Sequence, residues 1–196
     1  AKTVLDWPAN REEMLRDIGA IVERSTAVDG LTGEKGLTGY ATIAPRYLAS
    51  FVELWARMDA TVLPELLKRH PKLRETYRFH YDTWIGFQYY PYSGDCASFS
   101  IRTPHYVAAD FQRNEAFSKL NDTSASMYSF FGRLYQATGE RLYAQLMLRA
   151  NGGKFDGMPY DLYAEDPERL VRDVRRATAH HEAPPRIGSI DKKQWH

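Results

Sequence analysis

A single cysteine, Cys96, stands in 196 residues, so no disulfide can form within the chain and its stability has to come from apolar burial. Excess charge is missing too. The 26 Lys plus Arg balance 25 Asp plus Glu to leave +1, which gives no broad basic footprint for nucleic acid. No run of about 18 apolar residues is present to span a bilayer, and the opening stretch AKTVLDWPANREEM lacks an apolar core of the signal-peptide kind. Strand-like alternation is not sustained anywhere except over Ala97 to Ile101. What the chain does have is aromatic: 13 Tyr, 9 Phe and 4 Trp, with 43% hydrophobic and 26% charged residues, the balance of a folded domain and not of a disordered one. Beginning on Ala1 and ending on IDKKQWH, it is expected to be a processed form or an internal piece of a longer protein.

Helical spacing recurs along most of the length. Met14, Leu15, Ile18, Ile21 and Val22 predict a helix over 11–24 with Asn10 as its cap. Pro45 fits the first turn of a second helix, in which Leu48, Phe51, Val52, Trp55, Met58 and Val62 form the expected core face while Arg46, Glu53 and Arg57 fall elsewhere. A third helical stretch from about Pro64 to Trp84 should break near Pro71, because proline lacks the N–H donor and crowds the preceding turn. Helical spacing returns over Tyr106 to Phe111 and again at Met127, Phe130, Phe131, Leu134 and Tyr135, and Gly139 then sets off a helix from Arg141 to Ala150. After the glycines of the stretch from Asn151 to Tyr163, Asp166 and Pro167 are expected to start a last helix. It would present Leu170, Val171 and Val174 on one side and a solvated set of Arg169, Arg172, Arg175 and Arg176 around the rest. The expected fold is therefore all-α, built from antiparallel helical hairpins over residues 1–183, followed by a polar tail over 184–196.

Chemistry is best sought in two patches. The first runs from Asp29 to Tyr40, with glycine at every third position four times. It lacks the Lys-Ser/Thr ending of a phosphate loop and the alternating oxygen ligands of an EF-hand, and it is too short and too poor in proline for collagen. What survives is a tightly turned backbone that carries Glu34, Lys35 and Tyr40 toward the start of a helix. The second patch is the aromatic tract of Trp84, Phe87, Tyr89, Tyr90 and Tyr92, which closes on Ser93-Gly94-Asp95. Such rings either stack on the C–H faces of sugars or fill the space between helices and a loop.

The two patches together resemble heparinase II/III-type polysaccharide lyases: Asp-Gly, a following Glu near Gly, and Gly-Tyr opening a long helix, then a proline with Gly-Asp after it. This resemblance implies an incomplete (α/α) toroid-like array and β-elimination on a uronic-acid polysaccharide. In that reaction a base takes the proton α to the carboxylate and an acid protonates the departing glycosidic oxygen. Tyr40 would serve as both base and acid, with Lys35 and Arg46 as cations favouring its phenolate, since a free phenol titrates near a pH of about 10. Glu34, Trp84, Tyr89, Tyr90 and Asp95 would meet an acidic polysaccharide. The family's Asn-His pair and its later histidine with a β-sandwich have no counterpart here. The resemblance thus implies the centre of a toroid, with N- and C-terminal parts supplied by a parent chain in the periplasm or outside the cell. A non-catalytic carbohydrate-binding or structural helical module, or an intracellular adaptor, would show the same helices without proton transfer.

Other readings of these residues stand beside the catalytic one. Glu34 can hold the glycine turn, Lys35 can be solvated, Tyr40 can be packed, and Asp95 can bond its own turn. His70, His80 and His105 are too dispersed to argue a metal site, His180-His181 cannot chelate together, and no cofactor motif is found. Cys96 has no partner histidine nearby and reads as a small buried hydrophobe, while Asn121-Asp122-Thr123 is a chance-frequency glycosylation triplet.

Overall fold

The structure is a computed structural model, and it describes residues 7–25, 36–92, 102–109, 111, 124–159 and 164–179. Seven α-helices occur among them: α1 (Trp7–Ser25), α2 (Ile43–Met58), α3 (Val62–Arg69), α4 (Lys72–Asp82), α5 (Ser124–Thr138), α6 (Arg141–Ala150) and α7 (Arg169–Thr178). No strand is formed among the described residues, where the only sheet-like feature is an isolated bridge between Ile85 and Tyr89. The fold is all-α. None of the helices described is long and apolar enough to cross a membrane.

Each boundary has a local cause. Between α2 and α3 the Asp59 carboxylate accepts hydrogen bonds from the Thr61 amide (3.0 Å) and hydroxyl (2.6 Å), and it also meets the Arg11 guanidinium at 2.7 Å, which ties α1 to this corner. Burial works to raise the Asp59 carboxyl, but the bonds from Thr61 and Arg11 outweigh it and bring it down to about 2. The expected break at Pro71 separates α3 from α4. Gly139 ends α5 at φ 71°, and Gly152 and Gly153 end α6 at φ 68° and 74°, with the Gly153 amide reaching back to the Leu148 carbonyl at 2.8 Å.

Helix α5 is the centre of the packing: it touches α2, α3, α6 and α7, while α1 covers α3 and α4. The rings of Tyr77, Phe130, Phe131, Tyr106, Phe111 and Tyr143 meet mostly edge to face, at centroid separations from 5.0 to 6.4 Å. Tryptophans 55 and 84 are buried beside them.

Four expectations are corrected. Helix α1 starts at Trp7, so Asn10 lies inside it and is not its cap. Helix α2 is rotated from the expected face: Val52 and Trp55 are buried, but Phe51 and Met58 point outward and Glu53 is fully buried. Glu53 lies inward because the Arg133 guanidinium of α5 reaches it at 2.8 Å and Arg57 at 3.4 Å. Residues 106–109 form turns instead of a helix, since Tyr106 and Val107 are held by side-chain and backbone bonds to other segments. Helix α7 begins at Arg169, after a turn at Pro167 and Glu168. Residues Ala97 to Ile101, Cys96, the glycosylation triplet, His180-His181 and the tail over 184–196 lie outside the described residues.

Candidate functional site

The glycine turn ends in a compact knot in front of α2. Gly36 sits at φ 84°, a conformation that glycine adopts without strain, and its carbonyl accepts the amides of Gly39 (3.0 Å) and Ala41 (3.2 Å). The Thr42 hydroxyl closes the knot by donating to the Gly39 carbonyl at 2.8 Å. Tyr40 emerges from it 51% exposed. Glu34 and Lys35 lie outside the described residues, as does Asp95.

About one turn into α2, Arg46 crosses to the segment 102–109, where its Nε donates to the Val107 carbonyl at 2.9 Å. That segment is strapped over the turn that follows α4. Trp84 Nε1 donates to the Thr103 carbonyl (3.0 Å), the Thr103 amide to the Gln88 carbonyl (2.8 Å), and the Val107 amide to the Tyr90 hydroxyl (3.3 Å). Burial raises the Tyr90 phenol well above its ordinary range, and the same cause acts on Tyr77 and Tyr106, whose hydroxyls donate to the Pro45 and Tyr77 carbonyls. Tyr77 and Tyr106 are structural donors, and Tyr90 is a structural acceptor.

The turn beneath the strap is strained. Gly86 and Phe87 both take positive φ, 56° and 58°, and for a bulky residue such as Phe87 this conformation is a true outlier. It places the Phe87 ring edge-on to Trp84 at 5.2 Å. Over the pair lies the guanidinium of Arg149, from the last turn of α6, at 4.3 Å from the Phe87 centroid and 5.1 Å from that of Trp84.

Arg46 and Arg149 line one cavity of about 300 Å³. Trp84, Tyr106, Phe111, Leu146 and Ala150 line it with them, as do Pro104 and His105. No carboxylate of the described residues lines it. Neither guanidinium forms an ion pair among the described residues, whereas Arg11, Arg57, Arg69 and Arg133 each have an acidic partner. Two cations with donors to spare, facing an aromatic wall, suit a small anion carried on an apolar ring face. Among the described residues no group of three or more acidic, His or Cys side chains could hold a metal ion.

The structure thus brings two of the sequence candidates, Arg46 and Trp84, into one cavity. Trp84 is 1% exposed, so its indole serves as a wall and not as an open platform; Tyr90 is buried behind it, stacked nearly parallel at 6.0 Å. Tyr89 is exposed, and neither it nor Tyr40 is among the residues lining the cavity. Arg149 was not singled out from the sequence, and His105 was weighed there only as a metal ligand and set aside. For Arg149 a signal existed, because a cation in the last helical turn before Asn151-Gly152-Gly153 sits at the negative end of the helix dipole. Comparison of the chain with protein-family models, with curated proteins and with solved structures finds no match in any of the three.

Proposed function

We propose that this chain binds an acidic saccharide, with a uronate unit seated in the cavity between Arg46 and Arg149 and its ring face against the aromatic wall. The observation that carries the reading is the pair of guanidiniums, without carboxylate partners among the described residues, in one aromatic-walled cavity. A carboxylate is the anion that an Arg fork matches in geometry as well as in charge. The cavity volume sits at the lower edge of the range for small-ligand sites, roughly 300 Å³.

Within this reading the helices belong to an (α/α) toroid-like array of antiparallel hairpins, supported by the side-by-side packing of α5 on α6 and of α6 on α7. A lyase acting by β-elimination is the second reading. It is favoured by the accessibility of the Tyr40 phenol at the head of the helix that carries Arg46. The saccharide carboxylate held by arginine would acidify the α proton, and Tyr40 would take that proton and return it to the departing oxygen.

One titration tests both readings. Uronate oligosaccharides should bind at least tenfold more tightly than neutral oligosaccharides of equal length, and Arg149→Ala should abolish the difference. Equal affinity for both sugars, or an Arg149→Ala protein that still discriminates, overturns the binding reading. Absorbance of an unsaturated uronate appearing with the wild type and lost in Tyr40→Phe separates turnover from binding alone.

A further inference from the structure

Helix α2 is apolar on opposite sides. Its inner stripe of Pro45, Ala49, Val52 and Ala56 is buried, yet at about 100° per residue a second stripe of Ile43, Tyr47, Phe51, Leu54 and Met58 falls within an arc of about 80° on the far side. Those five side chains are between 42% and 75% exposed. A helix that is hydrophobic all round is the pattern of one buried on both faces. The spacing of four, four, three and four is that of a helix–helix seam.

We propose that the outer face of α2 is the contact through which a second copy of this chain docks, giving a two-fold symmetric dimer with the two α2 helices antiparallel. The stripe is self-complementary in that arrangement. A two-fold axis beside Ser50 and Phe51 sets Ile43 opposite Met58 of the second copy and Tyr47 opposite Leu54, while the two Phe51 rings meet beside the axis. Charge agrees with this pairing. The stripe holds no acidic residue, and its flanking cation, Arg57, is already paired with Glu53. In the antiparallel register each Arg57 lies opposite Ala44, so the two arginines stay about 20 Å apart at the helical rise of 1.5 Å per residue.

Area agrees as well. With about 150–250 Å² for an aromatic side chain and somewhat less for Ile, Leu and Met, the exposed fractions sum to roughly 500 Å² a side. The pair therefore buries about 1,000 Å² before the flanks are counted, which reaches the threshold for a specific interface. This contact is independent of the saccharide site.

Sedimentation equilibrium of the 196-residue chain tests the proposal. The expected result is a species of twice 22.6 kDa at tens of micromolar. Leu54→Glu alone and Tyr47→Lys alone should each become monomeric with an unchanged helical circular dichroism signal, because both side chains already stand outside the fold. The double variant Tyr47→Lys/Leu54→Glu should dimerise again, since only the two-fold register places position 47 against position 54 of the other copy. A wild type that stays monomeric up to about 100 µM overturns the proposal, whether amide exchange then finds α2 open or covered by another segment of its own chain. A dimer indifferent to Leu54→Glu overturns it too, and a double variant that fails to re-associate overturns the two-fold register.

Discussion

His80 has no exposed surface, and both of its ring nitrogens face oxygens that can only accept: Nδ1 the Thr76 carbonyl at 3.2 Å and Nε2 the Leu37 carbonyl at 3.3 Å. A neutral imidazole carries one N–H, so one of these contacts sets lone pair against lone pair. Protonation would satisfy both carbonyls at the cost of a buried charge near Arg46. Burial prevails, and the group is pushed down to about 4 from an ordinary value of 6.5. The sign of the linkage follows. Between pH 6.5 and 4 the unfolded chain takes up a proton that the folded chain refuses, so the stabilisation is complete above 6.5 and is lost as the pH falls toward 4. Urea unfolding at pH 7 and pH 4.5 should show the wild type losing roughly 2 kcal/mol more than His80→Gln over that interval. Equal losses in the two proteins would mean that His80 titrates alike in both states. Because Leu37 belongs to the turn that presents Tyr40, the Nε2 contact sets the buried imidazole against the back of that turn.

Between helices, a close approach is made where α1 passes the corner joining α3 to α4. A Cβ on Gly19 would stand 2.3 Å from His70 Nε2 and 2.8 Å from Cε1, and the ring is held in place by Glu23 at 2.8 Å from Nδ1. Two effects oppose each other in Gly19→Ala: about 1 kcal/mol of helix propensity gained, against about 1–3 kcal/mol for forcing atoms into a filled contact. The rigid ring makes the second larger, so the variant should be destabilised by roughly 1 kcal/mol. In a His70→Ala background the same change should become stabilising, a coupling that a double-mutant cycle by thermal or urea unfolding reads directly. The contact also shows what sequence could and could not tell. Spacing of apolar residues placed α1 through α4 to within a few residues, and Pro71, Gly139 and Gly152 marked true ends, because these signals are local. Which face of α2 turns inward was not legible. The helix is apolar on both sides, and the partner that draws Glu53 inward, Arg133, lies far along the chain. The cavity was only half legible for the same reason: Arg46 stood out by its nearness to Tyr40, whereas Arg149 gains meaning only from Trp84 and Phe87, which another part of the chain supplies.

Across the whole molecule, the two halves on either side of residues 112–123 meet at the pairs of Arg74 and Arg78 with Glu140 and at the rings of Tyr106 and Phe111 on Phe131, and two further contacts, one ionic and one aromatic, bind them through α5. Glu53 is fully buried with Arg133 at 2.8 Å, and Tyr77 packs on Phe130 at 5.1 Å and on Phe131 at 5.6 Å. Both contacts lie on α5, the helix that touches α2, α3, α6 and α7, so neither half keeps its core when α5 leaves. A buried carboxylate makes this joint asymmetric. Removing the guanidinium leaves the charge in place with Arg57 at 3.4 Å as its remaining ion pair among the described residues, and such losses cost about 3–5 kcal/mol. Removing both charges together costs far less, because the desolvation penalty goes with them. Arg133→Met should therefore unfold at a much lower urea concentration than the wild type, and Glu53→Leu/Arg133→Met should recover most of the difference. Circular dichroism and tryptophan fluorescence should trace one coincident transition in all three proteins, since Trp55 and Trp84 lie in the half opposite α5. Separate transitions by the two probes would show that the halves fold independently, and an Arg133→Met protein as stable as the wild type would show that Glu53 is not held by this pair.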